Sequence, residues 1–193
     1  MNDNSSRLTV KVVVLGDSFV GKTSLINKYM GSDFSKRYQR TFGSDISFKQ
    51  IEIKDSEDRT HKISFSIWDI YGDANHDELT KQFLLGTHSI VFMYDIENFQ
   101  SYLKIKKWVQ IANEKLDLKK SPVILVANKI DLRSEIKDPL STEDGLKLYR
   151  ILTEEYNLND KFFFFIETSA LNGTNISKVF EIISQILIRR ISE

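Results

Sequence analysis

Eight consecutive residues, Gly16-Asp17-Ser18-Phe19-Val20-Gly21-Lys22-Thr23, fit the spacing G-x-x-x-x-G-K-[ST]. They follow an apolar run at 8–15 and open a helix-patterned segment at 23–30. A strand, a glycine-bounded loop and a helix start make this spacing a phosphate site rather than an ordinary turn with a surface lysine. Glycines at both ends let the backbone curl so that successive N–H groups point at one anion. The helix N-terminus adds its dipole. Lys22 can reach the β- and γ-phosphates of a nucleotide, and the Thr23 hydroxyl can serve Mg²⁺.

A second pattern, Asn128-Lys129-Ile130-Asp131, directly follows the apolar run 123–127. A carboxylate at Asp131 can accept hydrogen bonds from the N1–H and 2-amino group of guanine. Adenine has no matching donors, and burying the carboxylate against it would leave an acceptor unpaired at about 1–3 kcal/mol. The Lys129 stem can lie along the base face. Alone these four residues fit a solvated loop equally well; behind a phosphate loop, at the end of a later strand, the base-reading assignment prevails.

Those residues need a scaffold that brings strand ends together. Apolar runs at 8–15, 91–94, 123–127 and 162–166 are continuous, as in parallel strands covered on both faces. The runs 46–53 and 63–68 alternate apolar and polar residues, as a half-exposed hairpin would, with 54–60 as its tip. Amphipathic helices are predicted at 79–85, 102–115, 142–155 and 176–188. This alternation implies an α/β doubly wound sheet, whose ligands sit outside the carboxyl ends of the strands. The segments 16–23, 69–72, 128–131 and 167–170 all fall on that rim.

Bulk composition narrows the function classes. The 193 residues suit one domain with a substantial core. Lysine plus arginine equal aspartate plus glutamate at 27 each, which argues against bulk electrostatic binding to nucleic acid or anionic membrane. Cysteine is absent, which excludes disulfides, a thiol nucleophile and cysteine-ligated zinc. No run approaches the ~18 apolar residues of a membrane span. The polar start, with asparagine at position 2, carries neither a signal-peptide core nor a myristoylation glycine.

Taken together, these motifs make the chain similar to a small GTPase of the Ras superfamily, over about residues 8 to 188. The resemblance implies a single P-loop NTPase G domain, a six-stranded, mostly parallel sheet with helices on both faces. It implies GTP and GDP as ligands, Mg²⁺ as cofactor, and nucleotide contacts from Asp17, Ser18, Phe19, Val20, Gly21, Lys22, Thr23 and Ser24. Thr41, nineteen residues after Lys22, matches the switch threonine that binds Mg²⁺ and senses the γ-phosphate. Asp69 and Gly72 match the D-x-x-G element, in which the aspartate holds Mg²⁺ through water and the glycine N–H meets the γ-phosphate. Glu167-Thr168-Ser169-Ala170 matches E-T-S-A, whose Ala170 N–H would read the guanine O6. Phe34, twelve residues after Lys22, matches an aromatic packed edge-on against the base; without that spacing it reads as core. The metal set is then Thr23, Thr41 and Asp69. The residues tied to hydrolysis are Lys22, Thr41, Gly72 and Asp73.

Within the superfamily the chain resembles the Rab branch. Thr41-Phe42-Gly43-Ser44-Asp45-Ile46 is similar to T-I-G-V-D-F, Val91-Phe92-Met93-Tyr94-Asp95-Ile96 to L-V-Y-D-I, and tryptophans stand at 68 and 108. Where the family reads D-T-A-G-Q, this chain reads Asp69-Ile70-Tyr71-Gly72-Asp73. A carboxylate in place of glutamine cannot donate a hydrogen bond to the phosphoryl oxygens and repels the γ-phosphate. Tyr71 and Phe19 add bulk around the same phosphate. Compensation by His76 orienting water, or by Arg37 or Arg40 as an arginine finger in cis, is one alternative; solvated loop side chains are the other.

The expected function is a switch in which the γ-phosphate holds two loops, roughly 34–42 and 70–78, for effector, exchange-factor and activating proteins. The alternative is a regulatory module that binds GTP and GDP but hardly hydrolyses GTP. An ATP-dependent kinase or ATPase on the same loop is opposed by Asn128–Asp131. The five residues after 188 contain no cysteine, so no prenyl anchor is expected in this chain, and the expected location is cytoplasmic with membrane contact only through a partner.

Overall fold

The computed structural model describes residues 6–31, 44–55, 57–72 and 77–192. Six strands form one sheet in the order β2-β3-β1-β4-β5-β6. They are β1 (Ser6–Leu15), β2 (Ser44–Lys54), β3 (Thr60–Ile70), β4 (Ser89–Asp95), β5 (Val123–Asn128) and β6 (Phe163–Glu167). Only β2 and β3 pair antiparallel; every other ladder is parallel. Six α-helices pack around it: α1 (Lys22–Met30), α2 (Asp77–Phe83), α3 (Phe99–Leu103), α4 (Ile105–Asn113), α5 (Thr142–Tyr156) and α6 (Ile176–Ser192).

The continuous apolar runs are buried on both faces because successive strand side chains point to opposite sides. Val12, Val14, Val91, Met93, Ile124 and Val126 face α1 and α6, where they meet Leu25, Ile26, Val179, Phe180 and Ile183. Their neighbours Val13, Leu15, Phe92, Tyr94, Leu125 and Ala127 face the other way, toward Trp108 and Val109 of α4 and Leu148 and Leu152 of α5. The alternating hairpin prediction holds: β2 is an edge strand whose residues alternate between half-buried and exposed. At the hairpin tip the Asp55 carboxylate accepts from the N–H groups of Glu57 and Arg59, from Arg59 Nε at 2.7 Å and from His61 Nε2 at 2.9 Å.

Three helices differ from expectation: α6, predicted over 176–188, runs on to Ser192, its last turn held where the Arg190 guanidinium lies over the Phe162 ring at 4.3 Å. The segment predicted as one helix over 102–115 is two, separated at Lys104 (φ −72°, ψ −12°). The first begins earlier because Asn98 caps it, accepting from the Ser101 N–H at 3.1 Å. The helix predicted over 79–85 ends at Phe83. Lys11 Nζ, reaching across from β1, takes the carbonyls of Phe83 at 2.7 Å and Leu85 at 2.8 Å, which supplies the donors a helix C-terminus lacks. A 3-10 turn, Ile130–Ser134, follows β5 where sequence patterning shows no element.

Candidate nucleotide site

The phosphate loop joins β1 to α1. Gly21 sits at φ 101°, in the left-handed region, and a Cβ there would lie 2.4 Å from Asn128 Nδ2. Gly72, beyond the end of β3, is packed so closely that a Cβ would stand 2.5 Å from both the Asp17 carbonyl carbon and the Ser18 nitrogen. Only glycine fits at either position. Phe19 adopts φ 66° and is 55% exposed, an aromatic in a backbone conformation that favours glycine.

Lys22 opens α1 and is buried. Its Nζ donates to the carbonyls of Gly16 and Asp17, both at 2.9 Å. Burial lowers its pKa to about 8, against the pull of the Asp69 and Asp17 carboxylates. The next residue, Thr23, donates its hydroxyl to Asp69 Oδ2. Ser18 Oγ donates to the Gly72 carbonyl at 3.1 Å. A buried ammonium, an alcohol and a carboxylate thus converge below a backbone loop. These are hard-oxygen donors beside a cation, a set that fits a phosphate with Mg²⁺. No cluster of three or more His, Cys, Asp or Glu able to hold a metal occurs among the described residues.

At the carboxyl end of β5, Asn128 joins the two halves of the site. Its Nδ2 donates to the Val20 carbonyl at 2.9 Å, and its Oδ1 accepts from Thr168 Oγ1 at 3.0 Å and the Ala170 N–H at 3.1 Å. Asp131, in the 3-10 turn, accepts at Oδ1 from Ser169 Oγ. Lys129 stands at φ 67° and its Nζ pairs with Asp95 Oδ2 at 2.6 Å.

A glycine loop with a pinned lysine, a threonine–aspartate pair and an asparagine bridging to a second loop match a known family. The family model described as "Ras family" matches residues 11–189. The chain belongs to the Ras family. It is 30% identical to Ras-related protein RABA5b of Arabidopsis thaliana over 99% of this chain and 80% of that protein. It is 28% identical to human Ras-related protein Rab-27A over 98% of this chain and 83% of that protein. It is 31% identical to Ypt/Rab-type GTPase avaA of Emericella nidulans over 93% and 82%. The protein is a Ras-superfamily small GTPase of the Rab branch, and its sheet is that fold's.

Measured against that family, the structure brings Asp17, Ser18, Phe19, Val20, Gly21, Lys22, Thr23, Ser24, Asp69, Gly72, Asn128, Lys129, Asp131, Ser169 and Ala170 to one rim. Phe34, Thr41 and Asp73, with Arg37, Arg40 and His76, lie outside the described residues. Asn128 spends its side chain on the protein itself, and the Ala170 N–H is given to Asn128. Lys104, absent from the sequence reading, reaches the loop from the α3–α4 junction to pair with Asp17 Oδ2 at 2.7 Å. Arg133 and Asp95 are further members that motif spacing did not mark. Their partners lie 34 residues away in one instance, and 34 in the other, too far for any local pattern to connect them.

Proposed function

We propose that this Ras-family protein is a guanine-nucleotide switch that binds GTP and GDP with Mg²⁺ and hydrolyses GTP slowly. The observation that carries the reading is the double role of Asn128, which fastens the phosphate loop at Val20 to the base loop at Thr168 and Ala170. Lys22 would offset phosphate charge, Thr23 and Thr41 would hold the metal with Asp69 orienting its water, and Asp131, oriented by Ser169, would select guanine. Bound Mg²⁺ neutralises charge on the phosphate oxygens. Gly72 and Thr41 connect the γ-phosphate to the two switch segments, which offer themselves to effector, exchange-factor and activating proteins. The reading places the protein in the cytoplasm, reaching membranes through the partners that such a switch engages.

Asp131→Asn tests the guanine reading. An amide meets the extra carbonyl of xanthine but not the donors of guanine. The variant should lose GDP affinity at least tenfold and gain xanthosine diphosphate affinity in competition titrations, a loss on the scale of an unpaired buried acceptor. Unchanged GDP affinity would remove the role from Asp131. Mass identification of the nucleotide that co-purifies with the protein tests the ligand directly.

Slow hydrolysis follows from the chemistry of Asp73. Positioning water and stabilising spread phosphoryl charge limit this reaction, and a carboxylate lacks the donor and adds charge. Single-turnover hydrolysis should run at or below the order of 10⁻⁴ s⁻¹. Asp73→Gln should raise it, given room beside the half-buried Tyr71. A lower rate in that variant would make Asp73 itself a participant. A wild-type rate far above that value would point to Arg37, Arg40 or His76.

A further inference from the structure

Arg133 lies two residues after Asp131 in the same 3-10 turn, and no nucleotide motif contains it. Its guanidinium grips Glu167 at the end of β6 with two bonds, Nη2 to Oε1 at 2.6 Å and Nη1 to Oε2 at 3.2 Å. Thr142 Oγ1, at the start of α5, donates to the same carboxylate at 3.0 and 3.1 Å. Nη2 also reaches the Leu140 carbonyl at 3.4 Å. The pair is sheltered, with 32% of the arginine and 20% of the glutamate side chain exposed. Bidentate arginine–carboxylate geometry fixes orientation as well as distance.

The position of this grip gives it a consequence for recognition. Glu167 and Ser169 stand two residues apart at the end of β6 and just beyond it; Arg133 and Asp131 stand two residues apart in the turn. Glu167 holds Arg133, and Ser169 holds Asp131. The Ile130 N–H adds a third link, donating to the Thr168 carbonyl at 3.2 Å. Without Arg133 the turn keeps the Ser169 hydroxyl and one backbone bond to the β6 loop, and the carboxylate that faces the base loses its stiffest support.

We propose that Arg133 is a positioning residue for guanine recognition, whose grip on Glu167 fixes the turn carrying Asp131 and thereby sets both the lifetime of bound guanine nucleotide and the discrimination for the 2-amino group. The inference rests on Asp131 being the guanine-reading carboxylate. The base is tested in two forms, GDP and inosine diphosphate, which lacks the 2-amino group. Dissociation rates and affinities for both are measured on wild type, Arg133→Ala, Arg133→Lys and Glu167→Gln, with circular dichroism to confirm folding. Arg133→Ala should speed GDP release about tenfold, the scale of a lost charge-assisted pair. It should also shrink the GDP-to-inosine-diphosphate affinity ratio severalfold. Arg133→Lys should recover part of the rate and little of the ratio, since lysine keeps the charge but not the fork. Glu167→Gln should act in the same direction as Arg133→Ala. Equal weakening of both nucleotides, or no change in a folded variant, would overturn the positioning role. A wild type that binds both nucleotides equally would instead overturn the guanine reading, and the inference with it.

Discussion

Lys22 shows what burying one charge does. Its ammonium is shut away with two carbonyls and holds a pKa of about 8, below the 10.5 of an exposed lysine. The unfolded chain therefore binds more protons than the folded one between those values, so stability rises with pH across that window. Below about pH 8 the buried charge costs about 3 kcal/mol in full. A phosphate beside Lys22 reverses the balance by favouring its charged form. Nucleotide binding should then take up a proton above pH 8, and GDP affinity should fall as pH rises through that value, toward tenfold per pH unit. Titration calorimetry at pH 7, 8 and 9, in buffers of different ionisation enthalpy, reads both the affinity and the proton. A flat profile with no proton uptake would show that Lys22 stays charged without ligand. Asp17 contributes a smaller correction: its carboxylate, drawn to Lys104 at 2.7 Å, is balanced by a cation from outside the loop.

Among the elements, α5 borders the site through the residues at its start. Ser141 and Asp144 form a reciprocal capping box: Ser141 Oγ accepts from the Asp144 N–H, and the Asp144 carboxylate accepts from the Ser141 N–H at 2.8 Å. Hydrogen bonds from Ser141 hold the Asp144 carboxyl below the usual carboxylate value. The first helical residue after the cap is Thr142, which donates to Glu167. Ser141→Ala should lower stability by about 1 kcal/mol, read as a shift of the urea midpoint at unchanged slope. A midpoint within error of wild type would mean that Thr142 and the helix dipole hold the start unaided. At the opposite edge, the β2–β3 tip is closed by one carboxylate, Asp55, serving two N–H groups, an arginine and a histidine. The hydrogen bond from His61 is the main reason its carboxyl lies far below the usual range.

For the whole molecule, the site is a product of strand order. From β1 the chain passes through α1 to the β2–β3 hairpin on one side of it, and from β3 it crosses through α2 to β4 on the other, so a crevice opens at the carboxyl end of β1. The phosphate loop fills it, with the end of β3 bringing Asp69 and Gly72 to one flank and β5 bringing Asn128 to the other. Two apolar layers, one beneath α1 and α6 and one beneath α4 and α5, clamp the sheet and hold those strand ends still. This is the physical ground for a precise site on irregular backbone: the loops are short and the strands carrying them are buried on both faces.

By itself the sequence determined the family, the fold class and the positions of most candidate site residues. The glycine spacing around Lys22, the carboxylate at Asp131 and the uninterrupted valine runs act through near neighbours, so the α/β class, six strands, the hairpin and the rim of motifs were all legible. Tertiary structure alone decided the contacts between them. Asn128 bonding Val20 across 108 positions, Lys104 pairing with Asp17 across 87 and Arg133 gripping Glu167 across 34 exist because the sheet order places those strand ends side by side. The same holds for the early end of α2, where Lys11 from β1 takes the last carbonyls. Periodicity and turn chemistry are local and leave a mark in the sequence; a partner brought by a distant strand leaves none.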